Sequence, residues 1–501
     1  MSKIIIGKTY NSSLKEDTSL ITMNNQGLKT SHIWIFWKSG AGKTYTMVSS
    51  IFWYIKSSFL EQNWDTYILI DPHNSFLPPL FHLLGDMIPQ LTEDQQKIKQ
   101  PKPGQGSWVT LNRAYETIET YEYKKNIENL HTGNQNLAYQ WNIMQKKLRF
   151  NPLLCLDLKN DLKLLNIHTN NIVTALKGCF DWSSFWPKNT SAIEWIVDAF
   201  LLFNALKLRV WDVDWFYSLK DILLYFDYLQ KNKKSPAYIQ EAIKWIAYSE
   251  YPDLRVKAQM IDQHFLYMEK NIQKDPSYYD TAITKLKVFS YELGDTFWYN
   301  AGIADLTLDL QEMMKAQIEM IRIYAFNLAD YSMEERKIII AFLISASYFY
   351  GSRKNHTHPK LAKHYIVVDE FQSFLSIKGE KNPFIDLLEK AFNELRKFSI
   401  VYILAYQSVS YELKDLLNNL WVFIIFSLPP EQWAFFLPIV NSWSEQELTE
   451  KDIANLSRWN FYIVFDTVDI GVQTISGFSW DFKEKVFRNI LIPNSITSYE
   501  K

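Results

Sequence analysis

The stretch His32-Ile-Trp-Ile-Phe-Trp-Lys-Ser-Gly-Ala-Gly-Lys-Thr44 decides how this chain folds. Its first part, Ile33 to Phe36, is a short apolar run of the kind that forms a buried strand. The segment from Trp37 to Thr44 is one residue short of the loop G-x-x-x-x-G-K-[ST]. In that loop glycines let successive backbone N–H groups turn inward on phosphate oxygens, the lysine meets the outer phosphates, and the hydroxyl serves Mg²⁺. Gly40, Gly42, Lys43 and Thr44 match, and Trp37 stands where the first glycine belongs. The residues after Thr44 continue as a helix whose N-terminus would face the anion. On this reading Lys38, Ser39, Gly40, Ala41, Gly42, Lys43, Thr44 and Tyr45 form a site for ATP and Mg²⁺.

Two more apolar runs end in residues suited to the same chemistry. Tyr365-Ile-Val-Val-Asp-Glu370 reads as a β-branched strand with two carboxylates at its tip. Phosphoryl transfer depends mainly on positioning and charge stabilisation, so Asp369 is assigned with Thr44 to the magnesium, and Glu370 to orienting and polarising the attacking water. The plainer alternative is a surface Asp-Glu pair after a core strand. Ser399 to Tyr406 reads as a third strand, with Gln407 at its end placed to sense the γ-phosphate. Arg396, just before it, is the candidate arginine finger for a neighbouring subunit's nucleotide, a role worth about 10³–10⁵ in rate; the alternative is a solvated helix-end arginine.

With these segments in hand the chain resembles the HerA/FtsK superfamily of hexameric DNA-pumping P-loop ATPases, in particular its HerA-like and conjugative type IV secretion coupling branch. The likeness is carried by the strand into K-S-G-A-G-K-T, by Ile68-Leu-Ile-Asp71-Pro72-His73, by I-V-V-D-E-F-Q and by R-K-F-S-I-V-Y-I-L-A-Y-Q-S. It covers about 1–90 and 320–480 well and the middle loosely. It implies a RecA-like α/β core, a homo-hexameric ring with nucleotide between subunits, double-stranded DNA in a central channel, and secretion or DNA-processing proteins as further partners. Asp71 and His73 would then approach the nucleotide or the subunit interface; the physical alternative for Asp71 is a helix cap before Pro72.

Trp37 departs from the pattern, because a bulky residue poorly tolerates the backbone space and angles that the first glycine uses. One explanation is a P-loop that no longer hydrolyses. Another comes from composition, since the chain has 18 Trp but only 15 Gly in 501 residues. Glycine is far below its usual share of about 7%. Trp34, Trp37, Trp64 and Trp459 all stand where glycine would be natural, so a glycine codon read as tryptophan would account for them; an aromatic-rich protein from a biased genome is the alternative. The mass of the peptide spanning residue 37 separates the two.

A hydrophobic content of 47% with 22% charged residues is that of a globular protein, and 501 residues suffice for two or three domains. Cys155 and Cys179 have no zinc or disulfide spacing. The N-terminus lacks a signal-peptide core and no apolar run reaches membrane length, which points to a cytoplasmic location. A net charge of −2 gives no global footprint for nucleic acid, so any grip on DNA must come from local stretches such as Lys231-Asn-Lys-Lys234, Lys97–Lys102 or Gly351–Lys360. His356 and His358 in the last of these are read as a solvated loop and not as metal ligands.

The expected organisation is a RecA-like α/β core with a mostly parallel sheet, interrupted by an all-α insertion domain. Residues 1–90 hold the phosphate loop and the Asp-Pro-His motif, 91–317 are mainly helical, 318–492 complete the core, and 493–501 form a tail. Ser191–Leu202, Leu219–Phe226 and Ile239–Tyr248 place apolar residues at helical spacing.

Overall fold

The computed structural model describes residues 3–11, 16–24, 32–36, 43–61, 65–77, 80, 139–140, 151–179, 187–210, 216–292, 310–314, 322–329, 331–351, 363–372, 383–407, 422–425, 428–430, 432, 437–438, 441, 449–451, 460–465 and 475–479. Its frame is one eleven-stranded sheet. In chain order the strands are β1 (Lys3–Asn11), β2 (Glu16–Asn24), β3 (Ile33–Phe36), β4 (Thr66–Asp71), β5 (Tyr139–Gln140), β6 (Arg322–Asn327), β7 (His364–Val368), β8 (Ile400–Tyr406), β9 (Val422–Ile425), β10 (Asn460–Phe465) and β11 (Ile475–Ser479). They lie in the order β2-β1-β11-β10-β9-β3-β8-β7-β4-β6-β5.

From β9 to β5 every pairing is parallel. The strands from β9 through β10, β11 and β1 to β2 pair antiparallel. The sequence explains the parallel part: β3, β4, β7 and β8 are buried at every position, as strands covered on both faces must be, and they therefore read as unbroken apolar runs rather than alternating ones.

The helices are α1 (Lys43–Glu61), α2 (Leu165–Cys179), α3 (Pro187–Val210), α4 (Leu219–Asn232), α5 (Ala237–Tyr248), α6 (Pro252–Lys274), α7 (Asp280–Glu292), α8 (Leu310–Met314), α9 (Met333–Gly351) and α10 (Pro383–Leu395). The three stripes of helical periodicity fall in α3, α4 and α5. The described residues within 91–317 are mainly helical, and they are also stitched into the sheet-bearing core. The short strand β5 pairs with β6 at the sheet edge, and α2 packs along α9 and against α10. One continuous buried cluster runs from β3 through α2 and α3 to α7. Among the described residues no helix is long and apolar enough to cross a membrane.

Trp34, expected from the sequence as a natural glycine position, is a core residue here. It is fully buried, stacked on Tyr406 with ring centroids 5.8 Å apart and edged by Phe36, Phe371 and Phe392. The reason is its place in a central strand of the sheet, on a face covered by Tyr406 of β8, Phe371 after β7 and Phe392 of α10.

Candidate active site

The parallel strands bring the ends of β3, β8, β7 and β4 side by side, and ligands of open α/β sheets bind beyond such carboxyl ends. Backbone bonds continue past the strands and lock the tips together. Asp369 N–H donates to the Ile70 carbonyl (3.1 Å), Phe371 N–H to that of Ala405 (3.0 Å), and Leu328 N–H to that of Asp71 (2.9 Å). The residues predicted from the β4, β7 and β8 motifs thereby meet at one edge.

Asp71 is buried and acts as the organiser of the turn after β4. Its carboxylate accepts hydrogen bonds from the backbone N–H of His73 (3.2 Å), Phe76 (2.8 Å) and Leu77 (3.0 Å). Burial pushes its carboxyl up from the ordinary value, backbone N–H donors oppose this, and nearby Asp369 adds to it. Asp71 thus holds the backbone of the turn that follows β4, while His73 is turned outward toward Glu370.

Asp369 is fully buried at the tip of β7. Its Oδ1 accepts from the Glu370 N–H (2.8 Å) and its Oδ2 from the Ser75 hydroxyl (3.1 Å). Glu370 has a left-handed backbone, φ 48°. Its Oε2 lies 2.6 Å from His73 Nε2, and its Oε1 accepts a hydrogen bond from Gln407 Nε2 at 3.0 Å. Gln407 is itself held through its N–H by Gln372 Oε1 (3.1 Å). Ser75 and Gln372 are members of this cluster that the motifs did not flag. Ser75 sits four residues after Asp71 and Gln372 closes the quoted I-V-V-D-E-F-Q run, yet only strand pairing, of β4 with β7 for Ser75 and of β7 with β8 for Gln372, shows what they touch.

Helix α1 begins at Lys43 directly after the loop, and Thr44 is half-buried in its first turn. Lys38, Ser39, Gly40, Ala41 and Gly42, with Trp37, lie outside the described residues, as do the side chains of Lys43 and Tyr45. Arg396 opens a short 3₁₀ turn, Arg396–Phe398, ahead of β8. Its backbone therefore stands at the opposite end of β8 from Gln407. Lys231-Asn-Lys-Lys234 closes α4, with Lys233 as its left-handed C-cap; residues 97–102 and the His356/His358 loop lie outside the described residues.

No protein-family model and no curated protein matches the chain. Solved structures do. VirB4 of Thermoanaerobacter pseudethanolicus superposes with a TM-score of 0.51 at 14% identity, over 95% of this chain and 97% of that one. The bacterial conjugative coupling protein TrwB, in a form complexed with sulphate, aligns at TM-score 0.49 and 10% identity over 95% and 96% of the two chains. In fold, the chain is a RecA-like α/β protein of the kind seen in VirB4, as expected from the sequence.

Proposed function

We propose that this chain is a P-loop ATPase that hydrolyses ATP at the interfaces of a homo-hexameric ring to move double-stranded DNA. The observation that carries the hydrolase reading is the convergence of Asp369, Glu370 and Gln407 at the sheet edge that also leads into α1. A buried carboxylate receiving neutral donors, next to a more exposed carboxylate, suits the division of labour in phosphoryl transfer. Thr44 and Asp369 would hold Mg²⁺, which neutralises charge on the phosphates. Such an ion keeps several waters and needs only one or two protein carboxylates beside substrate oxygens. Lys43 meets the phosphates, Glu370 orients the attacking water, Gln407 reports the γ-phosphate, and Arg396 acts on the adjoining subunit's nucleotide. The position of Arg396 at the far end of β8 from Gln407 supports a role in a neighbour's site over one in its own.

A second reading, a coupling ATPase of a conjugative or type IV secretion system, is favoured by the VirB4-like fold extending over nearly the whole chain. Co-purification with secretion-channel components would support it.

The test is ATP turnover with and without double-stranded DNA for the chain as it stands, for Trp37→Gly, and for Trp37→Gly with Lys43→Ala. DNA-stimulated turnover in either of the first two, lost in the third, is the expected result. Turnover confined to Trp37→Gly would also support a misread glycine codon at that position. If an assembled Trp37→Gly protein neither hydrolyses ATP nor responds to DNA, the motor reading fails and a non-catalytic DNA-binding or scaffold role replaces it.

A further inference from the structure

The turn built by Asp71 faces the tip of β7. Asn74 within it and Glu370 opposite both adopt left-handed backbones, φ 55° and 48°. Such conformations cost non-glycine residues roughly 1–2 kcal/mol each, less for Asn. These two segments meet in the Ser75–Asp369 bond and in the His73–Glu370 pair, and the side chains of the latter are 46% and 23% exposed. A pair so exposed is worth only about 0–1 kcal/mol to the fold. Strain of this size around a weak surface contact points to a constraint set by function.

The geometry shows what is constrained. A glutamate side chain has three rotatable bonds, and the hydrogen bond from Gln407 fixes Oε1. His73 Nε2 at 2.6 Å from Oε2 supplies a second fixed point, and the two donors come from strands on either side of β7. His73 is held in turn, because its own N–H is bonded to Asp71 Oδ1. We infer that His73 is a positioning residue: it holds the Glu370 carboxylate in the orientation needed for water attack and ties that orientation to the Asp71 turn.

This rests on the hydrolase reading of the same site. A donor of similar reach should substitute for the imidazole, whereas an apolar residue should not. Misplacing a catalytic group by about 1 Å can cost on the order of 10²-fold in rate.

The experiment compares His73→Ala, His73→Gln, Glu370→Gln and the double variant His73→Ala/Glu370→Gln, in whichever of the native chain or Trp37→Gly turns over ATP. Steady-state and single-turnover rates, KM, and affinity for a non-hydrolysable ATP analogue are read. His73→Ala should lower kcat by about 10–10²-fold with KM and analogue affinity within about twofold of the parent. His73→Gln should recover most of the loss, and His73→Ala should add no further loss to Glu370→Gln. Normal kcat in His73→Ala, a rise in KM alone, or losses that multiply in the double variant would each overturn the inference while leaving the hydrolase reading intact. Absence of turnover in both parent chains instead removes the hydrolase reading, and this inference with it.

Discussion

Trp34 shows how much a single side chain decides in this core. Its ring fills the space between Tyr406, Phe371 and Phe392, so Trp34→Ala should cost about 3–5 kcal/mol, as large-to-small changes of aromatic residues do. Its indole N–H, however, is buried without an acceptor. Removing such an orphan donor recovers part of its desolvation penalty of about 1–3 kcal/mol, so Trp34→Phe should cost about 1 kcal/mol or less. Denaturant titration of the two variants checks this; equal losses would mean that the N–H is satisfied. A second residue-scale effect belongs to Lys207, 6% exposed and lying over the Tyr217 ring. Burial lowers its ammonium to about 7, with Asp221 opposing. Between that value and the ordinary lysine value the unfolded chain binds the extra proton, so this group makes stability rise with pH across that window. Lys207→Met should flatten the slope of stability between about pH 7.5 and 9. The same scale marks the limit of sequence reading. Glu370 and Gln407 are legible because each comes after an apolar strand, but the partnership of Glu370 with His73, and of Asp369 with Ser75, depends on pairing of β4 with β7 that no local pattern encodes.

At the level of elements, β3, β4, β7 and β8 are readable because strands buried on both faces carry unbroken apolar runs, and α1 because it succeeds the phosphate loop. Strand β5 is not, since two residues carry no periodicity, and its pairing is set by β6 alone. The seating of α9 on β8 is equally hidden in sequence, and it turns on one glycine. A Cβ on Gly351, the last residue of α9, would stand 2.1 Å from Ile400 Cδ1 and 3.3 Å from Met314 Cε. Ile400 is itself fully buried at the start of β8, so it has little room to yield. Gly351→Ala should therefore destabilise by about 1–3 kcal/mol, the usual cost of overpacking, even though alanine is the better helix former. Gly351→Ala combined with Ile400→Val should regain part of that loss; thermal unfolding of the single and double variants tests the pair, and an unchanged single variant would show that α9 is free to shift.

Across the whole molecule the question is whether the helices of 151–292 form a module hung on the sheet or part of one cooperative body. Their apolar cores are continuous, and a buried polar cluster joins them as well. His168 on α2 is hydrogen-bonded through Nδ1 to the Tyr350 hydroxyl on α9 (2.8 Å), which also accepts from Asn171 Nδ2 (3.0 Å). On its other side His168 Nε2 lies 2.9 Å from Asp157, to which Gln311 of α8 also donates. Ser345 of α9 adds a bond to the Asn171 carbonyl (2.9 Å). In a low-dielectric interior a member of such a network that loses its partner is costly. Tyr350→Phe would strip two buried groups of α2 of their partner while changing no apolar contact, at a cost of about 1–3 kcal/mol. If α2 and α9 open together, amide exchange should accelerate by the same factor in 165–179 and 333–351, about tenfold for each 1.4 kcal/mol lost. Acceleration confined to α2 would mean that the helical stretch opens separately, in which case rearrangements there could not be transmitted through α9 to the sheet edge that carries Glu370.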